Sequence, residues 1–522
     1  MSYRVLIPTA GTGSRLGELT RYLNKSLVTI GNRPVLACLI EQFPKDVEFV
    51  VALGCKGNLV REFLSLAYPR RTFLFAVVNP FEGPGAGLGL SIQVCRKYLQ
   101  EPFVFCSCDT LVEEQIPSPL NNWMGYAPVE DLRPYRTLRL AGDKVSDICE
   151  KGAEGPGLEA YIGLAGIKDY AAFWSAMETG GSEAIHTGEV YGIRPLLAGD
   201  IQAKRFTWWD TGNMNSLAKT REKYKQPDMP NILDKPNEAI WFVGDAVIKF
   251  SADEAFIDNR VNRAIHLAGY CPPVVSSTGH MYKYHKVEGK VLSEIITPQL
   301  FEHFLDHSAV FWQRYELKSD DWVAFRKACL VFYRDKTIQR IQQFYETFQR
   351  TDGNECINEE SMPVLTDLLE RIDWNWLSEG IPGRFHGDYH FENILWSESD
   401  KRFTFLDWRQ EFGGSLTTGD IYYDLAKLLH GLIVCHELIA RDLYKIVWKR
   451  DQIRFDLLRR QVLVDCEKRY EKWLAEQKYN VRKVKMLTAL IYLNIAALHH
   501  YPYCLLLYAL GKQMLKRSLE MK

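Results

Sequence analysis

Between Arg4 and about Tyr224, short continuous apolar runs alternate with segments that have helical periodicity. Four of these runs lack the polar alternation of a half-exposed strand; they are RVLIPTA, VEFVVALG, TFLFAVV and PFVFCSCD. A strand that is apolar at nearly every position is covered on both faces, which is typical of a parallel sheet with helices on either side. The pattern predicts a Rossmann-like α/β domain with a mainly parallel sheet over residues 1–225.

The next residues interrupt this pattern. They are rich in proline and charged side chains, and we interpret 226–238 as a linker. The following stretch, AIWFVGDAVIKFS, predicts a β-hairpin that turns at Gly244 and Asp245.

Beyond the hairpin the pattern becomes predominantly helical, with short strands only around the stretches RFHGDYHFENILW and RFTFLDW. We therefore predict a second domain over residues 239–522. Its predicted fold is bilobal and α+β, with a small lobe at about 239–295 and a helical lobe at about 296–522.

Composition narrows the classes of function. A chain of 522 residues with 47% hydrophobic and 25% charged content is a folded protein with more than one core. Its net charge of -1 gives no reason to expect nucleic acid or an anionic membrane as a partner. Its twelve cysteines form no CxxC pair, which favours reduced thiols. The N-terminus lacks a signal core and polar residues interrupt the most apolar stretch, 487–510, so we expect a cytoplasmic protein without a membrane span.

A glycine-rich loop directly follows the first apolar run. Gly11 and Gly13 lack side chains, so backbone N–H groups can approach a phosphate chain there, and Arg15 and Lys25 add positive charge. A tight strand-to-helix turn would explain the two glycines equally well. The whole string resembles the signature of nucleoside-triphosphate sugar-nucleotidyltransferases, in which a glycine loop with an arginine precedes a proline-lysine pair. Here that pair is Asn24-Lys25.

The resemblance continues along the domain and implies further site residues. Asp109, after PFVFCSC, and Asp210, in WWDTG, correspond to the family's two metal-binding aspartates. Lys151, in SDICEKG, would hold the phosphate of the acceptor. The implied nucleotide-binding residues lie in the first loop and in a second glycine-rich loop, where the family surrounds the base: Gly11, Thr12, Gly13, Arg15, Lys25, Gly85 and Gly87.

The chemistry of this family fits those residue types. Attack by a phosphate monoester on the α-phosphorus of a nucleoside triphosphate needs positioning and charge neutralisation rather than a protein nucleophile. Two aspartates can hold Mg²⁺, while Arg15, Lys25 and Lys151 act on the phosphates.

The stretch RFHGDYHFENILW has the spacing His-x-Asp-x-x-x-x-Asn, and FLDW follows soon after it. This combination resembles the aminoglycoside phosphotransferase and choline kinase family, whose fold is that of protein kinases. The resemblance implies that Asp388 is the catalytic base, that Asn393 and Asp407 hold Mg²⁺, and that His386 supports the loop. His390 is interpreted as structural.

Two further motifs extend this resemblance. Lys249, in AVIKF, stands where the family keeps the lysine that contacts ATP phosphates. Asp420 or Asp424, in GDIYYDLAKLLHG, would cap a helix and brace the loop. The acidic partner of Lys249 stays open, because Arg260 and Arg263 stand where a glutamate would be expected.

A kinase makes a phosphate monoester and a nucleotidyltransferase uses one, so the two domains suggest consecutive steps. We expect ATP to phosphorylate a small alcohol, which a second nucleoside triphosphate then converts to an activated product. Kinases of this family that act on choline or ethanolamine pair in bacteria with cytidylyltransferases that resemble the N-terminal domain. This favours CTP and an amino alcohol or polyol, with a role in surface polysaccharide biosynthesis.

Two alternatives remain at this stage: an amino-sugar or sugar 1-kinase joined to a uridylyl- or guanylyltransferase, or a domain that serves only regulation or assembly. The oligomeric state is open. The helical lobe is rich in aromatic residues, which could cage a cationic head group but are more typically core. They are Trp312, Trp374, Trp376, Trp396, Trp408, Tyr501 and Tyr503.

Overall fold

The structure is a computed structural model that describes residues 3–225 and 235–521. The chain forms two compact units: Met1–Ile257 with Val274–Lys286, and Asp258–Pro273 with Val287–Lys522. Most of the predicted linker, residues 226–234, lies outside the described residues.

The first unit is built on a nine-stranded sheet in the order β5-β4-β1-β6-β11-β8-β12-β10-β9. Its strands and those of the smaller sheets are β1 (Arg4–Pro8), β2 (Thr29–Ile30), β3 (Arg33–Pro34), β4 (Glu48–Leu53), β5 (Phe73–Val77), β6 (Phe103–Cys106), β7 (Thr110–Val112), β8 (Asn122–Ala127), β9 (Thr137–Ala141), β10 (Lys144–Cys149), β11 (Leu158–Ile167), β12 (Ile201–Arg205), β13 (Trp208–Asp210), β14 (Glu238–Val243), β15 (Ala246–Ser251), β16 (Ser276–Ser277) and β17 (Met281–His285). The helices are α1 (Val35–Ile40), α2 (Gly57–Ala67), α3 (Leu88–Gln93), α4 (Tyr170–Thr179), α5 (Gly181–Thr187), α6 (Glu189–Ile193) and α7 (Met214–Tyr224).

The four predicted apolar strands are β1, β4, β5 and β6, and they pair in parallel, as expected. The rest of the sheet is mixed, because β11 runs antiparallel to both β6 and β8, and β10 runs antiparallel to β12 and β9. The predicted Rossmann-like α/β fold is confirmed, with parallel pairing among β5, β4, β1 and β6 and again between β8 and β12, and antiparallel pairing elsewhere in the sheet. Strands β9, β10 and β12 carry polar residues among their apolar ones, so they lack the continuous apolar run that is typical of a strand covered on both faces.

Both faces of the central strands are buried. Val5 and Ile7 of β1 belong to one apolar cluster and Leu6 belongs to another, and all three are fully buried. Side chains of successive strand residues point to opposite faces, so the two clusters lie on the two sides of the sheet. This burial explains why the strand is apolar at every position.

A second sheet of the first unit has the order β14-β15-β17-β16. As predicted, β14 and β15 form a hairpin around Gly244 and Asp245. The ring of Trp241 on β14 is fully buried and contacts Phe63 of α2 edge-on at 5.4 Å between ring centroids. Glu62 of α2 accepts hydrogen bonds from the Thr278 hydroxyl at 2.8 Å and the His280 backbone N–H at 2.9 Å.

Because of this packing, the compact units differ from the predicted domains. The sequence predicts that this sheet belongs to the small lobe of the second domain, whereas the structure groups it with residues 1–225 in the first unit. The physical reason is the apolar face of the hairpin, which shares a core cluster with α2. Sequence patterns show that a face is apolar but do not show which neighbour covers it.

The second unit is largely helical. Its elements are α8 (Glu254–His266), whose first residues belong to the first unit, β18 (Lys290–Val291), α9 (Leu292–Ile295), α10 (Pro298–Phe311), α11 (Ser319–Leu330), α12 (Lys336–Phe348), β19 (Glu355–Ile357), β20 (Glu360–Met362), α13 (Leu365–Glu370), α14 (Trp374–Ser378), β21 (Pro382–Gly383), β22 (Ile394–Ser397), β23 (Arg402–Phe405), β24 (Gly419–Asp420), α15 (Ile421–Ile433), α16 (His436–Ala440), β25 (Tyr444–Lys449), β26 (Gln452–Leu457), α17 (Gln461–Glu476), α18 (Val481–Ala496) and α19 (Tyr503–Glu520). A π-helical turn, Val331–Asp335, joins α11 to α12.

One sheet in this unit was not predicted. Strands β20, β19, β26 and β25 form a four-stranded sheet, so the helical lobe is interrupted by more strands than the sequence indicated. The strands are short, and β25 and β26 alternate half-buried and exposed residues, a weak signal in a helical background.

Helix α15 positions much of the chemistry of this unit because it is buried from Ile421 to Leu432. The predicted buried helices near the C-terminus are α18 and α19. None of the helices in the described part of the chain combines the length and the apolar character that a membrane span requires.

Because Trp241 packs against Phe63, we expect truncation of the Trp241 side chain to reduce stability strongly. We expect Trp241→Ala to destabilise the first unit by about 3–5 kcal/mol, because a fully buried indole leaves a cavity. Thermal unfolding measures the effect, and the matched control is Leu120→Ala, whose side chain is 56% exposed. Equal melting temperatures for the two variants would contradict the packing described here.

Candidate active sites

The glycine loop of the first unit connects β1 to a 3₁₀ turn at Ser14–Thr20. Gly11 and Arg15 are exposed and Thr12 is half-buried, and a Cβ added at Gly11 would meet nothing within 4 Å. Gly13 has a φ of 70°, and a Cβ there would lie 2.8 Å from the Cβ of Lys25. The loop is therefore open at Gly11 and packed against Lys25 at Gly13.

Asn24 explains the departure from the proline-lysine pair. This buried side chain donates from Nδ2 to the carbonyl oxygens of Thr9 at 2.8 Å and Cys55 at 2.7 Å. Its Oδ1 accepts from the backbone N–H of Ser26 at 3.0 Å. The amide thus ties the segment that carries Lys25 to the end of β1.

Lys25 forms an ion pair with Asp109, with 2.8 Å between Nζ and Oδ2. Burial alone would raise the pKa of Asp109, but the charge and hydrogen bond of Lys25 outweigh it and lower the pKa to about 2. Burial likewise opposes the charge of Lys25, and Asp109 outweighs it and raises the lysine pKa. Both groups are therefore charged at neutral pH.

Asp109 and Asp210 come together at Gly212. Strands β7 and β13 pair antiparallel, and Thr211 donates its backbone N–H to the Asp109 carbonyl at 3.0 Å. A Cβ added at Gly212 would lie 3.0 Å from Asp109 Oδ2 and 3.0 Å from Asp210 Oδ1. The two carboxylate oxygens are thus separated by no more than twice that distance. Burial raises the pKa of Asp210, while the Gly212 N–H hydrogen bond, 2.8 Å long, opposes the rise.

The remaining predicted residues of this unit lie elsewhere. Lys151 is exposed in the turn after β10, and among the described residues it makes no hydrogen bond or ion pair. Gly85 is exposed, with a φ of 83°. A Cβ at Gly87 would lie 2.3 Å from the Ile185 carbonyl oxygen, and one at Gly89 would lie 2.0 Å from the Ala184 carbonyl oxygen. Close packing of α3 on α5 therefore accounts for two glycines of this loop.

In the second unit, the His386 ring hydrogen bonds to two backbone segments. The fully buried ring accepts the backbone N–H of Asp388 at Nδ1, at 3.2 Å, and donates from Nε2 to the Leu406 carbonyl, at 2.8 Å. Burial lowers the pKa of His386 to about 3, so the ring is neutral. It joins the loop to the residue before Asp407.

Asp424 braces the same loop from α15. Its two carboxylate oxygens accept the backbone N–H groups of His386 at 2.6 Å and Gly387 at 2.7 Å. Burial raises the pKa of Asp424 to about 6, although these hydrogen bonds oppose the rise. Asp420 instead caps α15 by accepting from the backbone N–H of Tyr422 at 3.0 Å.

Asp388 has partners on both carboxylate oxygens. Lys427 of α15 lies 2.8 Å from Oδ1, and Asn393 donates from Nδ2 to Oδ2 at 3.1 Å. Burial would raise the pKa of Asp388, but Lys427 and then His390 lower it well below its ordinary value. Sequence reasoning missed Lys427, although it lies inside the quoted helix motif.

Asp407 has a left-handed backbone, with a φ of 56°, and its carboxylate forms an ion pair with Arg260 of α8. The backbone N–H of Leu406 donates to the Asn393 carbonyl at 2.7 Å, so the segments that carry the two predicted metal ligands are joined. Lys249 is buried on β15 in the other compact unit.

His390, interpreted from the sequence as structural, forms a pair with Glu392. Nδ1 of His390 lies 2.9 Å from Glu392 Oε2, and its ring stacks on His436 with 5.3 Å between centroids. Burial opposes the charge of His390, but Asp388 and Glu392 outweigh it and raise its pKa to about 9. The histidine therefore adds positive charge beside the Oδ2 side of Asp388, and no local sequence signal indicates His436.

Residues 311–446 match the family model described as Phosphotransferase enzyme family. The matched range contains His386, Asp388, Asn393 and Asp407. The match confirms the predicted kinase-like domain of the aminoglycoside phosphotransferase type.

A curated relative, the Bifunctional protein GlmU of Methanococcus vannielii, is 25% identical over 153 residues, which amount to 28% of this chain. The chain spans 35% of that relative's length. The UDP-glucose pyrophosphorylase from Acinetobacter baumannii is similar at 16% identity and a TM-score of 0.36, covering 43% of this chain and 93% of its own. The CTP:phosphocholine cytidylyltransferase from Streptococcus pneumoniae is similar at 16% identity and a TM-score of 0.35, covering 43% of this chain and 100% of its own. The chain thus pairs a region similar to nucleotidyltransferases with a phosphotransferase domain, the two enzyme classes that its motifs predicted.

Because the carboxylates of Asp109 and Asp210 converge at Gly212, we expect metal affinity to be sensitive to substitution of this glycine. Gly212→Ala would push Asp109 and Asp210 apart, and we expect the affinity for Mn²⁺ to fall about 10- to 100-fold. Isothermal titration measures this in an Asp407→Asn background, which removes a predicted metal ligand of the other unit. Gly199→Ala is the matched control, since its Cβ would meet its nearest atom, the Leu196 carbonyl oxygen, at 3.5 Å. Unchanged affinity in Gly212→Ala would contradict a metal site at these aspartates.

Proposed function

We propose that this chain is a bifunctional enzyme that phosphorylates a small alcohol with ATP and couples the product to a second nucleoside triphosphate. One observation carries the proposal: each compact unit contains a half-buried aspartate paired with a lysine beside further oxygen ligands. These are Asp109 with Lys25 in the first unit and Asp388 with Lys427 in the second. Both sets have the residue types that phosphate chemistry requires.

In the kinase reaction, the acceptor hydroxyl oxygen attacks the γ-phosphorus of ATP. The new oxygen–phosphorus bond forms while the bond between that phosphorus and the β,γ-bridging oxygen breaks, and ADP leaves. Asp388 orients the hydroxyl and accepts its proton. Lys427 and Asn393 hold the carboxylate in place, and the brace from Asp424 fixes the loop.

In the nucleotidyl transfer, an oxygen of the phosphomonoester attacks the α-phosphorus of the second triphosphate, and pyrophosphate leaves. Arg15 and Lys25 would bind the triphosphate at the glycine loop, and Lys151 would bind the phosphate of the acceptor. Each residue contributes charge and position rather than a covalent intermediate.

Magnesium is the ion that both reactions call for. The donor sets fit it, because carboxylate and amide oxygens are the ligands that Mg²⁺ prefers. Asp109 and Asp210 would hold it in the first unit, and Asn393 and Asp407 in the second. The ion would neutralise phosphate charge in both reactions.

Among nucleotides we propose CTP, on the resemblance of the N-terminal motifs to cytidylyltransferases. Among acceptors we propose a polyol before a cationic amino alcohol. Four of the seven aromatic residues considered for a cationic cage are buried in the core, and Tyr501 is 64% exposed. The buried four are Trp312, Trp396, Trp408 and Tyr503. A role in surface polysaccharide biosynthesis follows from this combination, and we propose that the protein acts in the cytoplasm.

A matched pair of variants tests the two activities separately. We expect Asp109→Asn to reduce nucleotidyl transfer about 10²- to 10³-fold while leaving the kinase reaction intact, and Asp388→Asn to do the reverse. The assay combines the protein with ATP, Mg²⁺, a panel of alcohols and one of CTP, UTP or GTP. Mass spectrometry detects the phosphomonoester and the nucleotide adduct.

The same assay separates the alternatives. A sugar 1-phosphate with UTP or GTP as the productive pair would replace the CTP proposal. If Asp109→Asn retained full nucleotidyl transfer, the metal assignment would be wrong. A reaction that neither variant changes would favour a domain used only for regulation or assembly.

A further inference from the structure

Cations lie beside both carboxylate oxygens of Asp388. Lys427 lies 2.8 Å from its Oδ1, whereas Asn393 and His390 approach its Oδ2. Asn393 is the predicted metal ligand, so the Oδ2 side is where ATP and its metal belong in the proposed reaction. The Oδ1 side is left for the acceptor.

Two more cations, Lys336 and Arg409, share one aromatic ring. Lys336 Nζ is 4.4 Å from the centroid of Phe332, and Arg409 Cζ is 4.7 Å from the same centroid. Phe332 in turn contacts Tyr423 edge-on at 4.8 Å, and Tyr423 lies one helical turn before Lys427 on α15. The ring therefore connects Lys336 and Arg409 to the helix that carries Lys427.

These cations are not neutralised by carboxylates. Within residues 3–225 and 235–521, neither Lys336 nor Arg409 forms an ion pair, and Arg340, one turn along α12, hydrogen bonds only to Gln343. The Nε of Arg409 is buried without a hydrogen-bond partner. Among the four cations, Lys336, Arg340, Arg409 and Lys427, only Lys427 pairs with a carboxylate in the described structure, and that carboxylate is Asp388.

The electrostatics agree with this geometry. Burial, followed by the charges of Arg409, Lys427 and Arg340, lowers the pKa of Lys336 to about 7. Cations that repel one another in this way gain from a bound anion, because it removes the repulsion and supplies charge-assisted hydrogen bonds.

A small, mostly apolar pocket lies beside Lys336. Its lining includes Phe332, Lys336, Tyr423 and Asn494. The Oδ1 of Asn494 is buried without a hydrogen-bond partner. An acceptor hydroxyl could donate to it, so the pocket offers one hydrogen-bond acceptor next to the cations.

Resting on the proposed kinase function, we infer that the acceptor alcohol carries an anionic group, a phosphate or a carboxylate, which Lys336, Arg340 and Arg409 bind. Lys427 remains on Asp388 and orients it toward the hydroxyl. The charge pattern disfavours choline, ethanolamine and other cationic alcohols, because their positive groups would enter a region that already carries excess positive charge.

Matched acceptors test this subsite with the intact 522-residue chain. One set is glycerol, glycerate and glycerol 3-phosphate, and another is glucose, glucuronate and glucose 6-phosphate; ethanolamine is the cationic probe. We expect the anionic members to be used with kcat/KM about tenfold or more above that of the neutral member, as charged hydrogen bonds allow. Comparing the acceptors that carry a carboxylate with those that carry a phosphate identifies the preferred anion.

Lys336→Gln and Arg340→Gln should remove the preference by raising KM for the anionic acceptor, with KM for ATP unchanged. The matched control is Lys327→Gln, since Lys327 is an exposed lysine of α11. A rise in KM for ATP instead of KM for the acceptor would show that the cations serve ATP, and would overturn the subsite.

Inorganic phosphate provides a readout that does not need catalysis. At constant ionic strength, we expect phosphate to raise the melting temperature of the wild-type chain more than that of Lys336→Gln, because ligand binding stabilises the folded state. Equal shifts would overturn the subsite, even if the kinase phosphorylates a neutral alcohol. Phosphate binding that depends on Lys336, without phosphorylation of any alcohol, would support the subsite and refute the kinase function.

Discussion

Half-buried carboxylates held charged by neighbouring cations are the constraint on which both candidate sites depend. Removing Asp109 or Asp388 from water would favour its neutral form, and a lysine ion pair reverses that preference in each case. A neutral carboxyl could neither hold a metal ion nor accept a proton at physiological pH. The folds around them differ, yet each brings a lysine to a half-buried aspartate from a distant part of the chain.

The sequence predicts best what is encoded locally. Continuous apolar runs located β1, β4, β5 and β6, because strands covered on both faces leave a periodicity that can be read within a few residues. The spacing of His386, Asp388 and Asn393 likewise lies within one loop, and the family match contains it. The roles of these residues in catalysis stay predictions.

Contacts between distant segments were not predictable in the same way. Arg260 and Asp407 are an ion pair across a long separation in sequence, and an arginine where a glutamate is expected gives no indication of its partner. The glycines at 87 and 89 looked like a nucleotide loop, but carbonyl groups of α5 account for their small size. Asn24 appeared as a departure from a motif, and only its hydrogen bonds to Thr9 and Cys55 show what it stabilises.

The β14–β17 sheet packs on α2. The linker predicted at 226–238 therefore does not separate two independently folding parts of the chain. A protease that cut between residues 226 and 234 would produce two fragments, yet the first unit would still contain parts of both. Trp241 would remain against Phe63, and Glu62 would remain bonded to Thr278 and His280. The nicked protein should therefore migrate as one particle under native conditions and as two bands in denaturant, so fragment boundaries on a gel would misidentify its folding units.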